Sequence, residues 1–173
     1  MNRRSTLKHL LAATGGLMAL PSWANGWSVK SLQTYVSSFS KMEQEILSAL
    51  VDTIIPFGGS IGAKSVGVDQ FLQKLFDRCY EKEVQDNIKK QLAALDLAAQ
   101  SAHQTSFAAA NQSQREALFL NLSQSAVKEE KDFFTLLKSE TIRGFSTSEE
   151  VMVKYFKYKV APGHYYGCVD VNA

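Results

Sequence analysis

A chain of 173 residues with 45% apolar side chains is long enough for one domain whose core folds without disulfide staples. Its 19 basic and 17 acidic residues are unevenly spread: the first 24 residues hold Arg3, Arg4 and Lys8 and no acid, so the remainder carries a formal charge of −1. A body of that charge has no electrostatic footprint for nucleic acid, which is excluded as a partner.

The chain begins Asn2-Arg3-Arg4-Ser5-Thr6-Leu7-Lys8, then runs weakly apolar to Leu20 and leaves through the small-residue exit Ser22-Trp23-Ala24. Paired arginines ahead of a Gly- and Ala-containing apolar segment resemble a twin-arginine signal, the address read by the Tat translocase that moves folded proteins across the bacterial inner membrane. Arg3, Arg4, Leu7 and Lys8 carry the match, while Thr6 stands where a bulky residue is usual. An ordinary secretory signal with adjacent arginines is the alternative. Residues 9–20 are too short to span a bilayer. With no Cys near the exit, the expectation is cleavage after Ala24, leaving Asn25 as the new N-terminus of a periplasmic protein.

Residues 25–40 are Ser-rich, with isolated Trp27, Tyr35 and Phe39, and read as a linker. Ser40-x-x-Glu43 is a capping box, the Ser oxygen accepting a first-turn amide while the Glu reaches back to the cap amide, so a helix is predicted to start there. Met42, Ile46, Leu47, Leu50, Ile54 and Ile55 mark its apolar face, and Pro56 stops it. The four glycines between Phe57 and Gly67 make a loop. Val68, Phe71, Leu72, Leu75, Phe76 and Cys79 describe a second helix. Val84, Ile88, Leu92, Leu95 and Ala99 describe a third, running toward His103.

Ser113-x-x-Glu116 predicts the cap of a fourth helix around Leu118, Phe119 and Leu122. Phe133, Phe134 and Leu137 predict a fifth that ends near Gly144. Overlapping boxes at Ser146-x-x-Glu149 and Thr147-x-x-Glu150 predict a sixth through Val151, Met152, Tyr155 and Phe156. Strict two-residue alternation does not persist anywhere. The fold class is therefore all-α: a single bundle of about six helices over 41–158, after a signal peptide (1–24) and a linker (25–40). An irregular C-terminal tail (159–173) is freed from helix by Pro162-Gly163.

Few motifs suggest chemistry. Gly58-Gly59-Ser60-Ile61-Gly62-Ala63-Lys64-Ser65 approaches a phosphate-binding loop, but Ala63 replaces the second required glycine and the segment follows a helix instead of a strand, so a flexible connector is expected. His164 and Cys168 are two candidate metal ligands where three or four are needed, and no metal site is expected. Cys79 reads either as a buried thiol acting as a small hydrophobe or as one half of a disulfide with Cys168. Glu129-Glu130 and Glu149-Glu150 fit the helix N-termini favoured by the macrodipole better than an acid and base pair. No Gly-x-Ser-x-Gly elbow, haem motif or dinucleotide fingerprint occurs. The expectation is a chain with no catalytic residue and no cofactor of its own.

Taken together, the leader, the Ser-x-x-Glu helix ending in Ile54-Ile55-Pro56, the loop through Gly67-Val68 into Phe71-Leu72, Phe133-Phe134, Gly144-Phe145-Ser146-Thr147-Ser148-Glu149 and the tail Pro162-Gly163-x-Tyr165-x-Gly167-Cys168 resemble the gluconate 2-dehydrogenase subunit 3 family. The chain departs from the family pattern at Phe57-Gly58-Gly59-Ser60-Ile61 and at Glu150-Val151-Met152. The resemblance implies a non-catalytic partner of a large FAD-dependent (GMC-type) dehydrogenase of sugars, sugar acids or polyols. It would be exported with that flavoprotein by the twin-arginine route and needed for its maturation, with or without a cytochrome c subunit, at the inner membrane. Ile55, Pro56, Pro162, Gly163, Tyr165 and Tyr166 are the expected partner-binding residues; tyrosines supply large contact area at low conformational cost. The same tail could fold back on its own bundle. A stand-alone periplasmic chaperone or binding module and an independent periplasmic enzyme are the alternatives.

Overall fold

The Ser40 capping box forms as the sequence predicts. The Glu43 amide donates to Ser40 Oγ at 3.3 Å, and the Ser40 amide donates to the Glu43 carboxylate at 2.7 Å. It opens the first of six α-helices in the computed structural model, which describes residues 35–159. The order is α1 (Lys41–Ile54), a 3-10 turn (Lys64–Val66), α2 (Val68–Cys79), α3 (Lys82–His103), a second 3-10 turn (Phe107–Ala109), α4 (Gln112–Gln124), α5 (Lys128–Ser146) and α6 (Glu149–Lys154). No strand occurs among the described residues.

Helix α1 is the central element and touches α2, α3, α4, α5 and both 3-10 turns. That position explains why Ile46, Leu47, Leu50 and Val51 are all buried, since no single 100° stripe could hold them. Around them pack Val68, Leu72 and Phe76 of α2, Ile88, Leu92 and Leu95 of α3, and Phe133 and Leu137 of α5. Each such side chain contributes roughly 1.5–3 kcal/mol by leaving water. Met42, expected on the same face, is instead exposed, because it lies in the first turn of α1 before the other helices reach it.

Two close approaches fix how the helices cross. Gly144 is buried in α5, where a Cβ would stand 2.8 Å from the Phe71 ring and 3.1 Å from the Val68 side chain of α2. Helix α5 ends at Ser146, two residues past that glycine and near the predicted end, and uses Gly144 as a contact point. Gly67 caps the first 3-10 turn with φ 74°, the left-handed region where a side chain is strained, and from it α2 departs.

Several boundaries differ from the sequence prediction. The cap of α4 is Asn111 with Gln114, not Ser113 with Glu116. Helix α6 has Ser148 as its N-cap and no side-chain cap bond: Ser146 and Thr147 hydroxyls donate back to the Arg143 carbonyl, and that of Ser148 to Phe145. It ends at Lys154, leaving Tyr155 and Phe156 outside it and exposed. The glutamate pairs do sit in the first turns of α5 and α6.

Candidate partner surface

The C-terminus of α1 leads into the loop on which the sequence placed Ile55 and Pro56. The loop returns on itself: the Ala63 amide donates to the Ile55 carbonyl at 3.0 Å and the Val68 amide to Ala63 at 3.1 Å. Ala63 and Val66 are buried, so the connector is pinned to the core instead of hanging free. Ile55 packs partly against that core, whereas Pro56 is exposed and Phe57 is 63% exposed. Gly62 permits the turn, since a Cβ there would lie 2.8 Å from the Phe57 amide nitrogen.

Beside this loop lies an apolar groove of about 200 Å³, lined by Thr53 and Ile54 of α1, Phe119 and Leu120 of α4, and Phe134 of α5, with Glu116 and Lys138 also in its lining. Phe119 and Phe134 meet with ring centroids 4.7 Å apart and form its floor. Leu120 is 56% exposed. The groove is held in register by α4: Arg115 pairs with Asp52 at 3.0 Å, and Gln112 donates to the Thr53 carbonyl at 3.2 Å. Sequence reading missed it, although runs such as Leu118-Phe119-Leu120 give a signal. Neighbours on a helix point about 100° apart, so on a helix packed along one side three in a row do not all face inward.

On another side, residues 35–38, at the end of the segment read as a linker, are hydrogen-bonded to α2. The Tyr35 hydroxyl, Ser37 hydroxyl and Ser38 amide all donate to Asp77 Oδ2, at 2.7, 3.1 and 2.9 Å, and the Ser38 hydroxyl donates to Oδ1 at 2.5 Å. Burial raises the Asp77 carboxyl, but the hydrogen bonds from Ser38, Tyr35 and Ser37 outweigh it and hold the group below the usual aspartate range. Burial and the adjacent Asp77 raise the Tyr35 phenol. Lys74 and Arg78 stand 5.9 and 5.7 Å from the Tyr35 ring centre, Lys89 lies 5.1 Å from the Phe39 ring centre, and Phe39 itself is buried.

Cys79 is exposed at the last position of α2, which corrects the first of its two readings, the buried small hydrophobe. Cys168 lies outside the described residues, as do Arg3, Arg4, Leu7, Lys8, Ala24, Asn25, Pro162, Gly163, Tyr165 and Tyr166. Among the described residues no group of three His, Cys, Asp or Glu side chains is arranged to hold a metal ion, and no helix is long and apolar enough to cross a membrane.

These features define a small all-α bundle with an apolar groove near the end of its central helix. A family model described as gluconate 2-dehydrogenase subunit 3 matches residues 41–163, and the chain belongs to that family. No curated protein and no solved structure shows significant similarity to it.

Proposed function

We propose that this chain is the non-catalytic small subunit of a periplasmic FAD-dependent dehydrogenase of sugars, sugar acids or polyols, and that it accompanies the flavoprotein through the twin-arginine translocase and supports its maturation. The observation that carries this reading is the family match, which takes in the whole helical body from the first residue of α1 onward. The groove between α1, α4 and α5 supports it, because an apolar recess rimmed by charge suits burial against a partner. So does the leader: an address for folded cargo on a small chain is explained when the cargo is bound to it.

In this reading the redox chemistry belongs to the partner, whose flavin passes electrons on to a cytochrome c or a quinone-linked acceptor. The chain's own residues contribute surface. Ile55, Pro56 and Phe57 present the loop, and Leu120 and Phe134 present the groove. The test replaces Arg3 and Arg4 with lysine and follows both proteins by cell fractionation. Both are expected to stay in the cytoplasm; a flavoprotein that still reaches the periplasm overturns shared export. Affinity capture of the tagged chain is expected to return one stoichiometric yellow protein, whereas many substoichiometric clients would instead support the chaperone alternative.

A further inference from the structure

The stretch that follows α6 reads Val153-Lys154-Tyr155-Phe156-Lys157-Tyr158-Lys159, apolar or aromatic residues interleaved with lysines. A contiguous patch of exposed apolar and aromatic side chains is informative where a single exposed one is not. Here Val153, Tyr155, Phe156 and Tyr158 all lie on the surface, with Phe156 62% exposed. They are held there by backbone. The Tyr155 and Phe156 amides donate to the Val151 carbonyl at 3.0 and 3.1 Å, and the Tyr158 amide reaches back to Met152 at 2.9 Å, across Lys157 in the left-handed region at φ 50°. A lysine in that conformation is uncommon, and the wide turn it closes keeps the aromatics facing outward.

Charge decides what this surface fits. Lys154 pairs with Glu150 at 2.7 Å, but Lys157 and Lys159 form no ion pair among the described residues, and no acid occurs from Val151 to Lys159. The acids of α6, Glu149 and Glu150, are confined to its opposite end. Lysine is depleted from the buried centres of protein interfaces, where its ammonium would lose its hydration. At a bilayer surface the same pattern is favourable: aromatic rings settle at the headgroup level, lysine stems lie along apolar surface, and their charged ends meet phosphates.

We infer that residues 153–159 form a peripheral docking strip for an anionic phospholipid surface, through which this chain touches the membrane directly. This goes beyond the subunit assignment and does not depend on the dehydrogenase. The probe is vesicles of phosphatidylethanolamine and phosphatidylglycerol, compared with vesicles of phosphatidylcholine, using full-chain protein purified from the compartment where it accumulates. Three proteins are compared by co-sedimentation: the unaltered chain, Lys157→Gln with Lys159→Gln, and Tyr155→Ser with Phe156→Ser. The leader is the same in all three, so the differences between them report on the strip.

The lysine pair is expected to weaken partition onto anionic vesicles roughly thirtyfold, with the difference shrinking at high salt. The aromatic pair is expected to weaken it on both kinds of vesicle, and circular dichroism should be unchanged because every substituted side chain is exposed. Equal partition by all three proteins overturns the inference. So does a result in which the variants keep their hold on vesicles but lose the co-purifying dehydrogenase, which would make the strip a protein contact. Absence of any dehydrogenase from every preparation would count against the subunit assignment and leave the vesicle comparison standing.

Discussion

Asp77 gathers four hydrogen bonds from residues 35–38, so a single carboxylate fastens the chain ahead of α1 onto the outside of α2. Hydrogen bonds to a charged acceptor are worth more than neutral ones, but these are part-exposed and screened; Asp77→Ala should cost about 1–2 kcal/mol in urea unfolding. The pH dependence has a definite sign. Asp77 titrates lower in the folded chain than an unfolded aspartate, so its contribution is complete above about pH 4 and is lost as pH falls through the depressed folded value. Urea midpoints of Asp77→Ala and the unaltered chain should therefore converge in acid, and a gap that stays constant from neutral to acid pH would contradict the clasp. A second residue acts in the opposite direction. Thr141 is buried in α5 and its hydroxyl has no hydrogen-bond partner, so Thr141→Val, which keeps the shape and removes the unsatisfied group, should stabilise the fold by about 1 kcal/mol in a thermal melt.

At the scale of elements, the turn between α3 and α4 depends on Asp96. Its buried carboxylate accepts from the Phe107 amide at 2.8 Å and from the Gln100 side chain at 2.6 Å, and so seats the Phe107 ring in the core. Asp96→Ala leaves that amide buried without a partner and should cost about 3 kcal/mol, while Asp96→Asn, which keeps one acceptor, should cost less. Hydrogen exchange at the Phe107 amide gives a local readout, fast in the alanine variant and slower in the asparagine one. This anchor also explains which boundaries could be read from sequence. The start of α1 was legible because Ser40 and Glu43 satisfy each other locally. Asn111-x-x-Gln114 and Ser113-x-x-Glu116 offer the same spacing, and the choice falls to where Phe107 and Ala110 are buried before α4 begins, a long-range fact. At α6 the predicted caps Ser146 and Thr147 were taken up by the end of α5, whose extension follows from the packing of Gly144 against Phe71 and Val68.

For the molecule as a whole, periodicity gave the count of helices and most of the core, because α2, α3 and α5 each bury a face against α1. It could not give the groove. Which residue of Leu118-Phe119-Leu120 faces out depends on how α4 is rotated against α1, and that rotation is set by the pair Arg115 and Asp52 and by Gln112 on the Thr53 carbonyl. The result leaves Leu120 exposed in the groove lining and Phe57 exposed on the loop after α1, where folding gains little from them. Two consequences separate a partner surface from ordinary exposed hydrophobes. Leu120→Gln, which keeps helix propensity, and Phe57→Ser, on the loop, should each change stability by no more than about 0.5 kcal/mol. Combined, they should weaken capture of a co-purifying dehydrogenase at least about tenfold, since apolar anchors carry much of the energy of an interface. Titration of the tagged double variant against the unaltered chain, with unfolding curves recorded on the same preparations, makes the comparison. Undiminished capture at unchanged stability would move the contact away from the α1, α4 and α5 groove, to surfaces that these two side chains do not reach.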